Sequence, residues 1–194
     1  GSPVTFNATG LVGPDALLSI TTQPGGASIG APFTTQPVVE IRDANGNLTA
    51  SSATVTVAIA SGGGTLGGTT TVTAVNGVAT FTNLSLSNTG AHTLTFTATG
   101  LTSVTSASFI VAAGPPTNIA ANSAIAQTAN AGTAVAAAPS VLVTDAFGNP
   151  VAGVNVTFAV TAGGGVITPT TVATNALGIA TVTSWTLGAV AGDH

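Results

Sequence analysis

The stretch that decides the fold runs from residue 141 to residue 158. It reads VLVT (141–144), DAFGNP (145–150), VAG (151–153) and VNVTF (154–158). Two runs rich in β-branched residues flank a turn in which Gly148 and Asn149 tolerate positive φ and Pro150 fixes its own φ. A weaker copy, VVEIR (38–42), DANGN (43–47) and VTV (55–57), lies earlier, and Asp43 and Asp145 are 102 positions apart. The spacing predicts a chain of two repeats.

Composition excludes several kinds of partner. The chain has 194 residues, of which 44% are hydrophobic and only 3% are charged, with a net charge of −4. A typical soluble domain carries about 25% charged residues. Phosphate binding and polybasic membrane contacts both need clustered Lys and Arg, so nucleic acid and anionic membranes are excluded as partners.

The same composition favours a secreted bacterial surface protein. Cysteine is absent, so no disulfide is predicted, and Gly, Ala, Val and Thr dominate. No signal peptide pattern opens the sequence. No run of about 18 apolar residues occurs, so we expect no membrane insertion as a helix.

Residues 14–114 predict a first complete unit. Alternating apolar and polar residues, with turn signals between them, indicate seven short strands in an antiparallel sandwich. Asn76-Gly77 predicts a two-residue hairpin turn. The predicted strands are 17–22, 36–42, 53–60, 70–75, 78–86, 92–99 and 104–112.

Residues 115–194 repeat this order and then stop. Strands are predicted over 118–127, 140–144, 154–161, 170–174 and 179–187, whereas Ala131–Ala138 is a strand or a loop. Because His194 matches His92, the counterparts of residues 92–100 and 104–112 are not in the sequence. The second sandwich is therefore predicted to lack its last strands.

Residues 1–13 are interpreted as the closing strand of a preceding or neighbouring unit. Val4–Ala8 alternates like a strand, and the segment precedes Gly13-Pro14 as residues 107–111 precede Gly114-Pro115. Three explanations of this frame stay open: a slice of a longer array, a filament subunit, or a truncated product. In a filament, Val4, Thr5, Phe6, Asn7 and Ala8 would complete a neighbour's open sandwich, because an added strand satisfies edge hydrogen bonds and fills core pockets.

The sequence resembles a known family. Residues 139–158, together with GIAT (178–181) and WTLG (185–188), resemble bacterial immunoglobulin-like repeats of the invasin and intimin type. The resemblance is weaker over 14–114, where Leu48 stands in the place of Pro150. It implies tandem sandwich modules in stalks of long surface proteins, with no catalytic residues.

No catalytic constellation is predicted from the residues themselves. The five acids are scattered, so a paired-carboxylate glycosidase is disfavoured. His92 and His194 lack further metal ligands nearby and are interpreted as turn or strand-end residues. Gly62–Gly64 and Gly163–Gly165 carry no Lys, so they are interpreted as turns that end strands and not as phosphate loops.

Two weak binding sites remain as candidates. Asp43, Asn45 and Asn47 alternate as in the start of a calcium loop, but the acid that closes such a loop is missing, and a side-chain-capped turn is the alternative. Trp185, the single tryptophan, could stack on a glycan, although a core or interdomain position is the alternative.

The sequence therefore predicts a non-enzymatic structural module of a bacterial stalk, adhesin or filament, located at the cell surface or outside the cell. Its expected partners are copies of itself or adjacent repeats, and polymerisation by strand complementation is a possible mechanism. The alternative function is a glycan-binding adhesin module. No cofactor is predicted beyond the weak calcium candidate.

Overall fold

A computed structural model describes Pro3 and residues 10–190 of the chain. It separates into two compact units, with the boundary between Ala112 and Ala113. All regular secondary structure of the described residues is β-strand, as the sequence predicts. No helix among these residues is both long and apolar enough to cross a membrane.

The first unit contains eleven strands. They are β1 (Asp15–Thr22), β2 (Ala27–Ser28), β3 (Val38–Asp43), β4 (Thr54–Ser61), β5 (Leu66–Gly67), β6 (Thr71–Thr73), β7 (Val78–Thr80), β8 (Ser85–Leu86), β9 (Gly90–Thr97), β10 (Val104–Thr105) and β11 (Phe109–Ala112). One sheet has the order β1-β3-β7 and the other the order β2-β11-β9-β4-β6, with β10 also pairing with β9. Strands β5 and β8 form a separate pair. Because β3 leads to β4, and β7 to β9, across the two sheets, this is an immunoglobulin-like sandwich.

The core of the first unit lies between these sheets. Strand β9 alternates strictly, with His92, Leu94 and Phe96 fully buried and the intervening threonines facing outward. Phe96 packs against Phe81 with ring centroids 5.5 Å apart. Strand β9 is therefore the central strand of its sheet, with β4 on one side and β11 on the other.

The second unit repeats the first sheet and only part of the second. Its strands are β12 (Asn118–Ala121), β13 (Ser140–Thr144), β14 (Asn155–Thr157), β15 (Gly165–Thr168), β16 (Thr171–Ala173), β17 (Ile179–Thr181) and β18 (Ser184–Leu187). The order β12-β13-β17 corresponds to β1-β3-β7, and the pair β14-β16 to β4-β6. The pair β15-β18 corresponds to β5-β8. Among the described residues of this unit, nothing corresponds to β9 or β11.

Several predicted strands differ from the observed ones. Residues 154–161 were expected to form a long strand like β4, but β14 covers only 155–157 because its outer edge has no neighbour that would extend it. Residues 118–127 are a strand only to Ala121. Ala131–Ala138 is irregular, with an isolated bridge between Ala134 and Thr186.

The predicted hairpin around Asn76-Gly77 is wrong as a pairing of two strands of one sheet. The tight turn forms, since Asn76 and Gly77 have φ of 50° and 79° and Val75 bridges Val78. However, β6 pairs with β4 and β7 pairs with β3. The turn is thus a crossover between sheets. The predicted strands 78–86 and 179–187 are likewise each divided between two pairings.

Candidate functional site

The repeated turn after β3 and β13 is built around one buried aspartate. The carboxylate of Asp145 accepts the backbone N–H groups of Phe147 and Asn149 through Oδ1, each at 2.9 Å. The side-chain Nδ2 of Asn149 also donates to both carboxylate oxygens. Asp43 accepts the corresponding bonds from Asn45 and Asn47. Both aspartates hold a turn that Gly46 and Gly148 close with positive φ.

The same aspartates also bind the segment that leads into each unit. Gly13 donates its N–H to Asp43 Oδ2 at 2.8 Å, and Gly114 donates to Asp145 Oδ2 at 2.9 Å. The Asn47 side chain, then the N–H groups of Gly13 and Asn47, lower the pKa of Asp43 to about 2. Burial by itself would raise the pKa of Asp145, but the bonds from Gly114 and Asn149 outweigh it, so that pKa is also lowered.

The calcium candidates are placed in this turn. Asp43 directs both oxygens at N–H donors, and Asn47 turns its amide nitrogen to that carboxylate. Asn45 contributes its backbone N–H, and its side chain is exposed. Within residues 10–190, no three acidic, histidine or cysteine side chains gather at one point. The observed geometry is that of the side-chain-capped turn.

His92 is an internal residue of β9 and not a turn or strand-end residue. Its ring nitrogens lie 3.0 Å from Gly90 O and 3.3 Å from Gly63 O, so the imidazole holds the glycine-rich turn 62–64 against the strand. Gly62 has a φ of 103°, and a Cβ there would lie 2.4 Å from His92 Cδ2. His194 lies outside the described residues.

The other described acids have structural partners. Asp15 accepts a hydrogen bond from Ser51, and Glu40 forms an ion pair with Arg42 on the same face of β3. Like Asp43 and Asp145, they form hydrogen bonds or ion pairs with residues of their own unit. Asp193 lies outside the described residues.

The second unit has an uncovered apolar surface between its two sheets. This open face consists of residues 116–119, Val143 and residues 154–157, which line a groove of about 350 Å³. Its residue Ile119 pairs with Val143 as Leu18 pairs with Ile41 in the first unit. Leu18 is 4% exposed, whereas Ile119 is 61% exposed. A core position of the first unit is therefore a surface position in the second.

Trp185 lies in an adjoining groove. This Trp groove, of about 230 Å³, is lined by Pro139, residues 158–161, Ile167 and Trp185. Trp185 is half-buried in β18, and its Nε1–H has no hydrogen-bond partner. Trp185 O accepts the N–H of Val135 as Leu84 O accepts that of Phe33, so the two side chains occupy equivalent places. Leu84 is fully buried, so the indole stands at a core position that the second unit leaves partly open.

Sequence reasoning missed two features of these sites. The roles of Gly13 and Gly114 as donors to the turn aspartates depend on a long-range contact, and only their shared Gly-Pro signature pointed to them. The exposure of Ile119 depends on which distant residues pack over it, and the local sequence does not show this. The strand-donation candidates Val4–Ala8 lie outside the described residues.

Comparison with known proteins finds likeness among solved structures only. No protein-family model matches the sequence, and no curated protein matches it. Among solved structures, the chain is similar to the D0-D1 domain of intimin, with a TM-score of 0.36 and 20% sequence identity. The match covers 90% of this chain and 86% of the other. The fold assigned here rests on the strand order of each unit and not on this likeness.

Proposed function

We propose that the chain is a non-enzymatic structural module of a bacterial surface stalk, adhesin or filament. Its buried side chains serve packing, and its described carboxylates and His92 serve turns and strand edges. The sparsely charged surface also lacks the lysines that usually protect sheet edges from association. Such a module bears load and spaces its neighbours, without a reaction to catalyse.

The finer proposal is that copies join head to tail by strand complementation. The observation that carries it is the open face, where apolar side chains and the free edge of β14 are presented together. A strand added there would pair with that edge and bury Ile119. The donor is Val4–Ala8 of another copy, because its alternating pattern suits a strand with one buried face.

Electron microscopy of the purified chain at neutral pH tests this assembly. We expect ordered filaments whose axial repeat is near the length of two sandwiches. Deletion of residues 3–7 should abolish them, while a matched control, Thr5→Ser, should preserve them because the alternating pattern assigns Thr5 to the outward face of the donated strand. Dispersed particles from the intact chain would contradict self-assembly and favour a slice of a longer array.

A glycan-binding module is the second candidate, and the Trp groove favours it. The half-buried indole of Trp185 lines a groove of about 230 Å³ and offers a stacking surface there. Saccharide titration followed by Trp185 fluorescence tests it. A saturable shift that Trp185→Leu abolishes would support it, and unchanged fluorescence across a panel of saccharides would refute it.

A further inference from the structure

The N-terminal segment has the sequence of one particular strand of the first unit. Residues 4–11 read VTFNATGL, and residues 94–101 read LTFTATGL, so the two segments differ only at their first and fourth positions. Residues 94–97 are the second half of β9, and residues 98–101 are the turn after it. This correspondence is closer than the one with residues 107–111, which likewise precede a Gly-Pro pair. The sequence of residues 4–11 is therefore a second copy of the sequence that forms the end of β9 and its turn.

In the first unit, this stretch closes the sandwich on both sides. Strand β9 pairs with β4, with Phe96 opposite Val57 and Thr97 opposite Thr56. The chain then crosses to the other sheet, where Thr102 O accepts the N–H of Leu18 and Thr102 N–H donates to Ala16 O. Residues 94–102 thus pair with the edge of β4 and also bond with β1 beside Leu18.

The open face of the second unit is the counterpart of the surface that this stretch covers. Residues 116–119 correspond to the start of β1, and residues 154–157 correspond to the start of β4 and the residue before it. A groove between these two elements is where a copy of residues 94–102 would lie. The chain therefore carries both the surface and a spare copy of the strand that covers it.

We infer that residues 4–11 of one copy of the chain pair with β14 of a second copy, in the place that β9 takes in the first unit. This inference rests on the proposed strand complementation and specifies its slot and register. By correspondence with β9, Asn7 lies opposite Thr157 and Phe6 opposite Phe158, antiparallel to β14. Val12, the counterpart of Thr102, forms backbone hydrogen bonds with the free edge of β12 beside Ile119.

Side-chain volume is complementary in this register. In the first unit Phe96 lies opposite Val57 and packs against Phe81. In the second unit Phe158 stands in the place of Val57 and Val182 in the place of Phe81. One aromatic ring and one valine therefore surround the donor's phenylalanine in both units, and volume-conserving exchanges of this kind are well tolerated in cores.

Charge and exposure agree with the same occupant. Neither residues 4–12 nor the residues of the open face carry a charge, so no charge is desolvated when they meet. Leu11, the counterpart of the partly buried core residue Leu101, is 90% exposed in the single chain. On assembly, the side chains of Leu11 and Ile119 would both become buried.

One strand is sufficient for this slot. Strand β11 pairs with β9 and β2 but not with β4, so a strand in the place of β11 would have no neighbour among the described strands of the second unit. The place of β9 adjoins an existing strand edge, that of β14. A single donated strand is thus compatible with the second unit even though two strands of the first unit have no counterpart among its described residues.

Disulfide trapping tests the register, because the chain contains no cysteine of its own. An isotopically labelled Asn7→Cys variant is mixed with an unlabelled Thr157→Cys variant under mild oxidation. Opposed residues of an antiparallel pair have Cβ atoms about 4.5–5.5 Å apart, which a disulfide can bridge. We expect the mixed disulfide to be the main product by mass spectrometry. The matched control, Asn155→Cys, is displaced by two residues along β14 and should give little of it.

Binding of a peptide of residues 2–12 to a chain that lacks residues 1–9 tests the same register in a second way. Val4 would lie opposite Val160, which lines the Trp groove with Trp185, so binding should shift the Trp185 fluorescence saturably. A Phe6→Asp peptide should not shift it, and this substitution cannot unfold the protein. Equal trapping at Asn155 and Thr157, or equal effects of both peptides, would overturn the inferred register. Filaments that form without trapping at Thr157 would overturn the slot and leave the assembly itself in place.

Discussion

The matched pair Leu18 and Ile119 allows the difference between the units to be measured by one kind of truncation. Leu18→Ala removes a side chain that is 4% exposed and packed in the first core. Truncation of a buried leucine costs about 2–5 kcal/mol, and at a urea dependence of about 1.5 kcal/mol/M the midpoint should fall by roughly 2 M. Ile119 is 61% exposed. Burial of one CH₂ group contributes about 0.8 kcal/mol, and the side chain of Ile119 is only partly buried. We therefore expect Ile119→Ala to lower the free energy of unfolding by about 1 kcal/mol or less.

Urea unfolding of the intact 194-residue chain at low concentration separates the two effects. Trp185 fluorescence reports on the second unit alone, since it is the single tryptophan, and far-ultraviolet circular dichroism reports on both units. Leu18→Ala should shift part of the circular dichroism transition and leave the Trp185 transition in place. Ile119→Ala should move the Trp185 transition only slightly. Equal shifts for the two variants would refute the conclusion that the open face is uncovered in the single chain.

Two further predictions concern the turns. Asp43→Asn and Asp145→Asn should each lower the melting temperature at pH 7, since either change removes the charge that the N–H donors stabilise. The pKa of Asp43 is lowered from 3.8 to about 2 in the folded state, so the stability that its charge contributes is present above pH 3.8 and is lost as the pH falls towards 2. The melting temperatures of the wild type and Asp43→Asn should therefore converge in that range. A difference that stays constant with pH would contradict this. Gly62→Ala should destabilise by more than the roughly 1 kcal/mol expected of the control Gly46→Ala, since both have positive φ but only Gly62 would press a Cβ on His92. Equal losses in thermal melting would show that the His92 contact carries no constraint.

The comparison between the units explains why β14 is short. Strands β4 and β14 have related sequences and equivalent partners, β6 and β16, on one edge, with Val55 opposite Val72 and Val156 opposite Val172. Strand β4 has β9 on its other edge and runs to Ser61, whereas β14 ends at Thr157. Backbone pairing on the second edge is therefore what keeps residues such as Ala58 and Ile59 extended. A donated strand should extend β14 by the same mechanism.

The amino-acid sequence by itself determined the class of fold, the repeat and the turns. Alternation of apolar residues in β9 and the Asp-x-x-Gly-Asn turn at Asp145 are local signals, because strand periodicity and positive φ depend on neighbouring residues. The similarity between residues 4–11 and 94–101 was also present in the sequence. It gained its meaning only when β9 was seen to have no counterpart among the described residues of the second unit.

Only the tertiary structure decided which strands pair and which apolar residues remain uncovered. Asn76-Gly77 makes the turn that its residues predict, yet β6 and β7 join different sheets, because sheet membership depends on partners far away in the chain. Leu18 and Ile119 are similar residues in similar strands, and one is buried while the other is exposed. Burial is a property of what packs over a residue, and contacts between distant segments are not written in the local pattern.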